Sequence, residues 1–322
     1  MIKNFSYTIP TVGRISIGEK VERNGNSLPA RLNRFVITAQ HKRDGKWVEH
    51  PITDAVAKAT NQDKLKLTEI PVCLMFNDPD LSLRERFEAF DDKGRMLCAG
   101  DGEKARRMCS GKVETVDCSG PDHCEFARTA RCKLMTRLNV QIDVSQTVEA
   151  SASSDPLSSF ILRSSGFNTA RTLHSKLQAL HGLLDGRLIG VPMILKLRQK
   201  SSTQSYQSIF YYADLVPAVP LVEAAKLAKQ TALKMEEAGL NQAKFEEQIK
   251  KGLDNGPFEE TLEDLVEYED YLGDDFRSEA TGEGAGTADG APIEGVVGLE
   301  GTEQDSDAGL EGLRKLLQKQ AA

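Results

Sequence analysis

The 322-residue sequence contains no apolar run long enough to cross a membrane, which takes about 18 residues or more. Its first residues also lack the apolar stretch and the small-residue cleavage site of a secretory signal peptide. We therefore expect a cytoplasmic protein that keeps its thiols reduced and has no membrane partner. In a reducing compartment, clustered cysteines are more often metal ligands or reactive groups than disulfides.

Familiar catalytic and nucleotide-binding motifs are missing as well. The segment 100–102, Gly-Asp-Gly, lacks the Lys-Ser/Thr of a Walker loop and the Rossmann glycine pattern, so a strand-ending turn is favoured. His174 and His181 share a predicted helix without the glutamate that a zincin helix requires. A metal-dependent hydrolase is kept as an alternative because it could draw on turn aspartates that more commonly cap their own backbone: Asp78, Asp80, Asp91, Asp92 and Asp101.

Positive charge is scarce in the last third of the chain. Residues 1–215 hold 31 Lys and Arg against 24 Asp and Glu, whereas residues 216–322 hold 10 against 24. The body is mildly basic and the tail strongly acidic, although the formal net charge of the whole chain is only −7. Such a tail can contact a basic partner, shield the charge of the body, or simply maintain solubility.

Apolar and β-branched segments separated by turn residues dominate residues 5–215. They predict strands at 14–17, 34–38, 70–76, 84–90, 96–99, 138–144, 189–197 and 208–215. One long helix is expected after Gly166, because apolar residues recur there at helical spacing: Ala170, Leu173, Leu177, Leu180 and Leu184. Since the strands come in consecutive blocks, we predict an α+β fold with a mainly antiparallel body.

The region after the body predicts helices and then disorder. Residues 217–272 form the predicted helical extension, with a break at Gly239 and a third helix that begins near Pro257. Residues 274–309 are rich in Gly, Ala, Asp and Glu, so we expect this acidic segment to be disordered. Residues 308–320 are predicted to form a short terminal amphipathic helix.

A cysteine-rich loop is predicted at residues 98–133, where five of the six cysteines lie. Zinc favours four tetrahedral ligands, and it stabilises the deprotonated form of a thiol. Four thiolates would close the coordination sphere, so the metal would be structural and not catalytic. The candidate zinc ligands are Cys109, Cys118, Cys124 and Cys132.

The spacing of these cysteines leaves alternatives open. Glycine and proline at Gly111, Gly120 and Pro121 allow the chain to bend around an ion, but paired Cys-x2-Cys knuckles are missing. A surface loop with free thiols therefore remains possible, and Cys98 or His123 could replace one ligand. The loop is flanked by basic residues that can contact nucleic-acid phosphates or a protein partner, or form a solvated surface: Arg106, Arg107, Arg128, Arg131, Lys133 and Arg137.

Several short segments follow one another in a recognisable order. They are Ile9-Pro-x-x-Gly13-Arg-Ile-x-Ile-Gly-Glu-Lys20, Glu69-Ile-Pro-Val72, Phe76-Asn-Asp-Pro79, Cys98-x-Gly-Asp-Gly102-x-x-Ala-Arg106, Ser165-Gly-Phe-Asn-Thr-Ala-Arg171 and Gly186-Arg-Leu-Ile-Gly-Val-Pro-Met193. Together with the cysteine loop, they resemble the phage recombination directionality factors that work with large serine integrases. The resemblance covers about residues 9–215, and the acidic tail lies outside it.

The resemblance implies a protein–protein function. Members of that family bind the integrase on DNA and favour excision over integration without carrying out the strand chemistry. For this chain, it implies a non-enzymatic adaptor whose partner is a large serine integrase, with DNA contacted through the complex. It also favours zinc as the cofactor, because the cysteines match the family's cysteine-rich loop. A nucleic-acid-binding accessory protein of a mobile element is the main alternative.

Overall fold

The computed structural model describes residues 9–23, 26–91, 95–130, 132–144, 155–201 and 209–253, which belong to one compact unit. Within these ranges, every helix falls short of the length and apolarity that a bilayer-spanning segment needs. The predicted third helix near Pro257, the acidic segment 274–309 and the terminal helix 308–320 lie outside the described residues.

The described part of the chain contains twelve strands, six α-helices and a short 3-10 helix at Lys64–Lys66. The strands are β1 (Thr11–Arg23), β2 (Asn26–Arg43), β3 (Lys46–Glu49), β4 (Glu69–Cys73), β5 (Leu83–Phe90), β6 (Met96–Gly100), β7 (Lys104–Cys109), β8 (Lys112–Asp117), β9 (Lys133–Ile142), β10 (Ser159–Ser164), β11 (Met193–Ser201) and β12 (Ile209–Pro217). The helices are α1 (Ile52–Thr60), α2 (Pro79–Ser82), α3 (Glu125–Ala130), α4 (Phe167–Leu183), α5 (Leu221–Glu237) and α6 (Gln242–Leu253).

Strand β9 lies at the centre of the sheet. The order of the main path is β3-β2-β1-β10-β9-β5-β6-β7-β8, and every pairing in it is antiparallel except that of β1 with β10. Leu138 of β9 pairs with Leu162 of β10 on one side and with Leu83 of β5 on the other. Ile142 then pairs with Val72 of β4, which leads to β11 and β12. The predicted α+β fold with a mainly antiparallel body is confirmed.

Helix α4 covers the core, as its apolar spacing predicts. Leu173, Leu177 and Leu180 are buried against the sheet in the main hydrophobic cluster. The hydroxyl of Thr169 accepts a hydrogen bond from the backbone N–H of Ala213 (3.2 Å), which fixes the helix to β12. Beyond its end, the backbone N–H of Gly186 donates to the carbonyl of His181 (2.8 Å). Asp185 and Gly186 have φ values of 54° and 74°, left-handed conformations that do not continue an α-helix, so the helix ends before them.

The cysteine-rich segment differs from its prediction as a loop. It contains the hairpin of β7 and β8 followed by α3. Ser110 and Gly111 have φ values of 50° and 81°, and positive φ at both central residues is typical of a tight hairpin turn. Val113 and Val116 in β8 are β-branched residues that favour extended backbone. Strand β10 and helix α1 are two further elements that the sequence patterns did not predict.

Helices α5 and α6 pack on the body. Ala224 and Ala228 of α5 are buried in the same hydrophobic cluster as α4. Gly190 has a φ of 80°, and any side chain there would collide with the side chain of Thr231 in α5, so the glycine leaves the space that Thr231 occupies. In α6, Phe245 stacks on Phe76 with ring centroids 5.8 Å apart. The predicted helices on either side of Gly239 are therefore present in the structure.

Polar contacts reinforce the docking of α6. The carboxylate of Glu246 accepts hydrogen bonds from the backbone N–H groups of Asn77 (2.6 Å) and Asp78 (3.3 Å). The side-chain amide of Gln242 donates to the carbonyl of Met75 (3.1 Å). The residues just before α2 are thus hydrogen-bonded to α6, although that helix lies far along the chain.

Replacing Glu246 with alanine should lower the free energy of unfolding by roughly 1–3 kcal/mol, because two partly buried N–H donors lose their acceptor. The neighbouring Glu247 is exposed and pairs with the exposed Lys251 one turn later, so Glu247→Ala should stay within about 0.5 kcal/mol of the wild type. Urea denaturation of the two variants measures the difference. Equal losses would mean that Glu246 does not anchor α6.

Candidate functional site

One face of strands β6, β7 and β8 forms the floor of the candidate site. Cys98 pairs with Arg107, and Ala105 pairs with Val116. Residues that are directly paired point to the same side of a sheet, and this side repeats at every second residue. Cys98, Ala105, Arg107 and Val116 therefore share one face.

Cys118 lies at the base of the hairpin, directly after β8. Its backbone N–H donates to the carbonyl of Glu103 (2.9 Å), which holds the cysteine beside the start of β7. Its sulfur lies over Gly100, where a Cβ would be only 2.6 Å from the Cys118 Sγ. The missing side chain of Gly100 thus makes room for this thiol.

Helix α3 brings two more thiols to the same place. Cys124 immediately precedes the helix, and its carbonyl accepts a hydrogen bond from the backbone N–H of Ala127 (3.1 Å). Cys132 follows the helix, and its own N–H donates to the carbonyl of Ala127 (3.4 Å). Cys98 and Ala105 form a small hydrophobic cluster against which Cys118 and Cys132 pack. We refer to Cys98, Cys118, Cys124 and Cys132 as the thiol cluster.

The guanidinium of Arg107 connects members of the thiol cluster. Its Nε donates to the Cys98 sulfur and its Nη2 to the Cys124 sulfur, each at 3.5 Å. Its Cζ lies 4.2 Å from the centroid of the Phe126 ring, a cation–π arrangement. Arg107 is therefore held in place from two directions, and it puts a positive charge beside two sulfurs.

The thiols of the cluster have different proton affinities. Burial raises the pKa of Cys98, with Arg107 opposing the shift. Burial, together with the other three thiols of the cluster, raises the pKa of Cys132 to about 12. Burial would also raise the pKa of Cys124, but backbone N–H groups in the first turn of α3 and the Arg107 guanidinium outweigh it, so that pKa is lowered. The mutual influence of the thiols reflects their proximity.

The hairpin separates Cys109 from Cys118, although both were predicted to bind one zinc ion. Cys109 pairs with Lys112 beside the hairpin turn, whereas Lys104 and Asp117 pair at the opposite end. At about 3.3 Å per residue, these two ends are roughly 17 Å apart. The ligands of one ion cannot span that distance. Cys98, which was held as a possible substitute, lies in the cluster, while His123 is exposed.

The side chains of the thiol cluster lie near one another, but their sulfurs do not form a preformed coordination shell. Among the residues that the structure describes, no three His, Cys, Asp or Glu side chains have an arrangement that could hold a metal ion. Zinc therefore stays a prediction. The sixth cysteine, Cys73, lies elsewhere, near the Gln141 amide, and burial raises its pKa to about 11.

The structure does not gather the basic residues into one patch. Arg137 is buried and binds the buried Glu88 carboxylate through two hydrogen bonds of 2.6 and 2.8 Å. Arg107 lies among the thiols, and its neighbour Arg106 points to the other face of the sheet. Arg128 is exposed and Lys133 half-buried. Arg131 lies outside the described residues.

The aspartates of the hydrolase alternative serve separate turns. Asp78 accepts a hydrogen bond from the backbone N–H of Asp80 (3.0 Å) at the start of α2. Asp101 accepts from the N–H groups of Glu103 and Lys104, both at 2.8 Å, and so caps the turn between β6 and β7. The segment 100–102 is thus a strand-ending turn, as predicted. Asp92 lies outside the described residues.

Comparison with known proteins gives a family match. A family model described as Gp3-like, recombination directionality factor-like matches residues 12–218, which is well over half of the chain and runs from β1 to β12. No curated protein and no solved structure matches the chain.

Changing Arg137 to alanine should destabilise the protein by roughly 3–5 kcal/mol, because the Glu88 carboxylate would remain buried without this cation. Arg128→Ala removes the same charge from an exposed position and should change the stability by no more than about 0.5 kcal/mol. Thermal and chemical denaturation measure both effects. If Arg137→Ala leaves the stability unchanged, the ion pair with Glu88 does not hold the fold, and Arg137 would again be a candidate for contact with a partner.

Proposed function

Because the chain belongs to the Gp3-like, recombination directionality factor-like family, we propose that it is a zinc-containing adaptor for a large serine integrase. In this role it binds the recombinase and biases site-specific recombination toward excision, and it contacts DNA through the complex. The match of the family model over residues 12–218 is the observation that carries the proposal.

An adaptor of this kind needs no catalytic group. It has only to bind one arrangement of the integrase more tightly than another. A difference in binding free energy of about 1–3 kcal/mol changes such an equilibrium by roughly 5–150-fold. The turn aspartates and the buried arginine described above are engaged in holding the fold, which agrees with a protein that acts through its surface.

The β7–β8 hairpin is the surface that we assign to the integrase. Met108 and Val113 pair directly across it, on the face opposite to Arg107, and they are 36% and 38% exposed. Strand β8 ends the described sheet, so the backbone groups along its outer side are open to another chain. Met108 and Val113 thus form an exposed apolar pair on an edge hairpin, and the thiol cluster supports the opposite face of that hairpin. Such a pair is suited to partner binding.

Two assays test the proposal. The full chain should co-purify with the large serine integrase of the same genetic element, and it should increase the excision product in a two-plasmid recombination assay. If both assays are negative, the proposed function fails. Salt-dependent binding to random DNA without integrase would instead support the nucleic-acid-binding alternative, because phosphate contacts release counterions.

The double variant Met108→Glu/Val113→Lys should weaken integrase binding by about tenfold or more, equivalent to about 1.4 kcal/mol. It removes the apolar pair but keeps the net charge, and its opposite charges can pair across the hairpin. The control Val222→Glu/Leu233→Lys makes the same changes at exposed positions of α5, outside the family match. Equal binding of the two variants would exclude the hairpin as the contact surface.

A further inference from the structure

We infer that the acidic segment 254–276 binds to the outer face of the sheet, on the side turned away from the main hydrophobic cluster. We call this surface the arginine face, and it is defined by Arg84 and Arg86 of β5, Arg106 of β7, Arg137 of β9 and Arg163 of β10. The contact lies within one chain, so the inference goes beyond the proposed function and does not depend on the integrase.

The strand register brings three of these arginines side by side. Arg84 and Arg163 both pair with Arg137, from opposite sides of β9. Directly paired residues point to the same side of a sheet, and neighbours in one strand point to opposite sides. Leu138, the residue after Arg137, is buried in the main hydrophobic cluster, so the three arginines lie on the outer face.

The same face continues toward the β7–β8 hairpin. In β5, Arg84, Arg86 and Glu88 share one side because they are two residues apart. Glu88 pairs with Ala99, which in turn pairs with Arg106. The arginine face therefore extends from β10 to β7, across four steps between strands of about 4.8 Å each, or roughly 19 Å in all.

Positive charge predominates on this face. Within β5 to β10 it carries seven cations, the five arginines together with Lys104 and Lys133, against the two carboxylates of Glu88 and Asp117. Both carboxylates have cationic partners in the sheet, since Glu88 binds Arg137 and Asp117 lies 2.5 Å from Lys104. The excess of positive charge favours an acidic partner.

The arginine face also has an apolar floor. Met135 lies two residues before Arg137, and Ile161 lies two residues before Arg163, so both side chains are on this face. They are only 4% and 3% exposed, although they belong to none of the hydrophobic clusters among the described residues. Arginine stems can cover part of such a floor. A partner that has both carboxylates and apolar side chains matches it.

The segment 254–276 has this composition. Its 23 residues include ten Asp or Glu and no Lys, Arg or His. Four aromatic residues are interspersed among the carboxylates, and they are Phe258, Tyr268, Tyr271 and Phe276. Arginine guanidinium groups pair with carboxylates and stack on aromatic rings. One segment therefore supplies both kinds of contact that the arginine face offers.

The segment begins beside this face. Leu253, the last residue of α6, is buried in a cluster with Ile9 and Leu81. Leu81 belongs to α2, which leads directly into β5, and Arg84 is the second residue of that strand. At 1.5 Å per residue, 23 residues reach about 35 Å even as a helix. The segment is therefore long enough to cross the arginine face.

The tethered segment is favoured over nucleic acid as the occupant. A segment joined to the same chain has an effective concentration on the order of millimolar. Nucleic acid has to approach a chain whose formal net charge is −7, and this net charge opposes long-range attraction to the basic face. The same argument favours the segment of the same chain over that of a second copy.

Carbodiimide cross-linking of the full-length protein tests the contact, because it joins a lysine amine directly to a carboxylate. Lys104 lies on the arginine face and Lys226 lies on α5, and their side chains are 66% and 65% exposed. Mass spectrometry should find Lys104 or Lys133 joined to carboxylates of segment 254–276, whereas the control Lys226 should not be joined to them. Absence of the links from the face, or equal links from Lys226, would overturn the inference.

Reversing charges on the arginine face should weaken those links. Arg86→Glu/Arg106→Glu should lower their yield by about fivefold or more, because repulsion replaces attraction at two positions. The control Arg128→Glu/Arg171→Glu makes the same charge change at exposed positions of α3 and α4, and it should leave the yield unchanged. Equal yields for the two variants would refute the contact.

A variant of the segment itself covers the case in which Arg86→Glu/Arg106→Glu does not fold. It replaces four carboxylates by amides and leaves every described residue unchanged: Glu259→Gln, Glu260→Gln, Glu263→Gln and Asp264→Asn. The other carboxylates of the segment should then be joined to the face lysines about twofold less often, because part of the attraction is lost. An unchanged yield at these carboxylates would contradict the inference.

Other occupants of the arginine face give different results. In a mixture of isotopically light and heavy protein, the links should join light to light and heavy to heavy. Links that join light to heavy chains at the frequency of random pairing would assign the face to a second copy. Salt-dependent binding of random DNA that Arg86→Glu/Arg106→Glu abolishes, without links to the segment, would assign it to nucleic acid. Either result would overturn the inference.

Discussion

The pairing of β9 on both sides is the constraint on which the rest of the structure depends. The strand pairs with β5 over residues 133–138, with β10 over residues 136–140 and with β4 over residues 141–142. Cys132 immediately precedes β9, and Lys133, the first residue of the strand, pairs with Glu88. The thiol cluster is consequently attached to the strand that lies at the centre of the sheet. A group that orders α3 and the hairpin therefore orders them relative to the core.

The motifs that carry the family resemblance serve mainly to hold the backbone together. The side-chain carbonyl of Asn77 accepts hydrogen bonds from the N–H groups of Leu188 (2.8 Å) and Ile189 (3.1 Å). It thereby joins two motif segments that are far apart in sequence. Gly100, in another motif, gives space to Cys118. These motifs therefore indicate the fold directly.

Local sequence patterns correctly predicted the elements that depend on residues close together in the chain. The spacing of Leu173 and Leu177 identified α4, and the turn residues after Phe90 identified the β5–β6 hairpin, because both signals lie within a few residues. Strand β7 was missed because Arg106 and Arg107 make it look like a polar loop. Its pairing with β6 depends on contacts that sequence spacing does not reveal. The same limitation affected the grouping of the cysteines, since Cys109 is closer in sequence to Cys118, Cys124 and Cys132 than Cys98 is, but the hairpin places it at the far end.

The thiol cluster and the exposed residues Met108 and Val113 lie on opposite faces of the β7–β8 hairpin, and they are mechanically connected. Arg107 faces the sulfurs, while Met108, the next residue, faces outward with Val113. Fixing Arg107 between Cys98, Cys124 and Phe126 therefore fixes the orientation of Met108 through a single peptide unit. Binding a partner to a hairpin that is already ordered avoids the entropy loss of ordering it during association. A metal at the cluster would increase affinity in this way without touching the partner, because it would act on the rigidity of the surface.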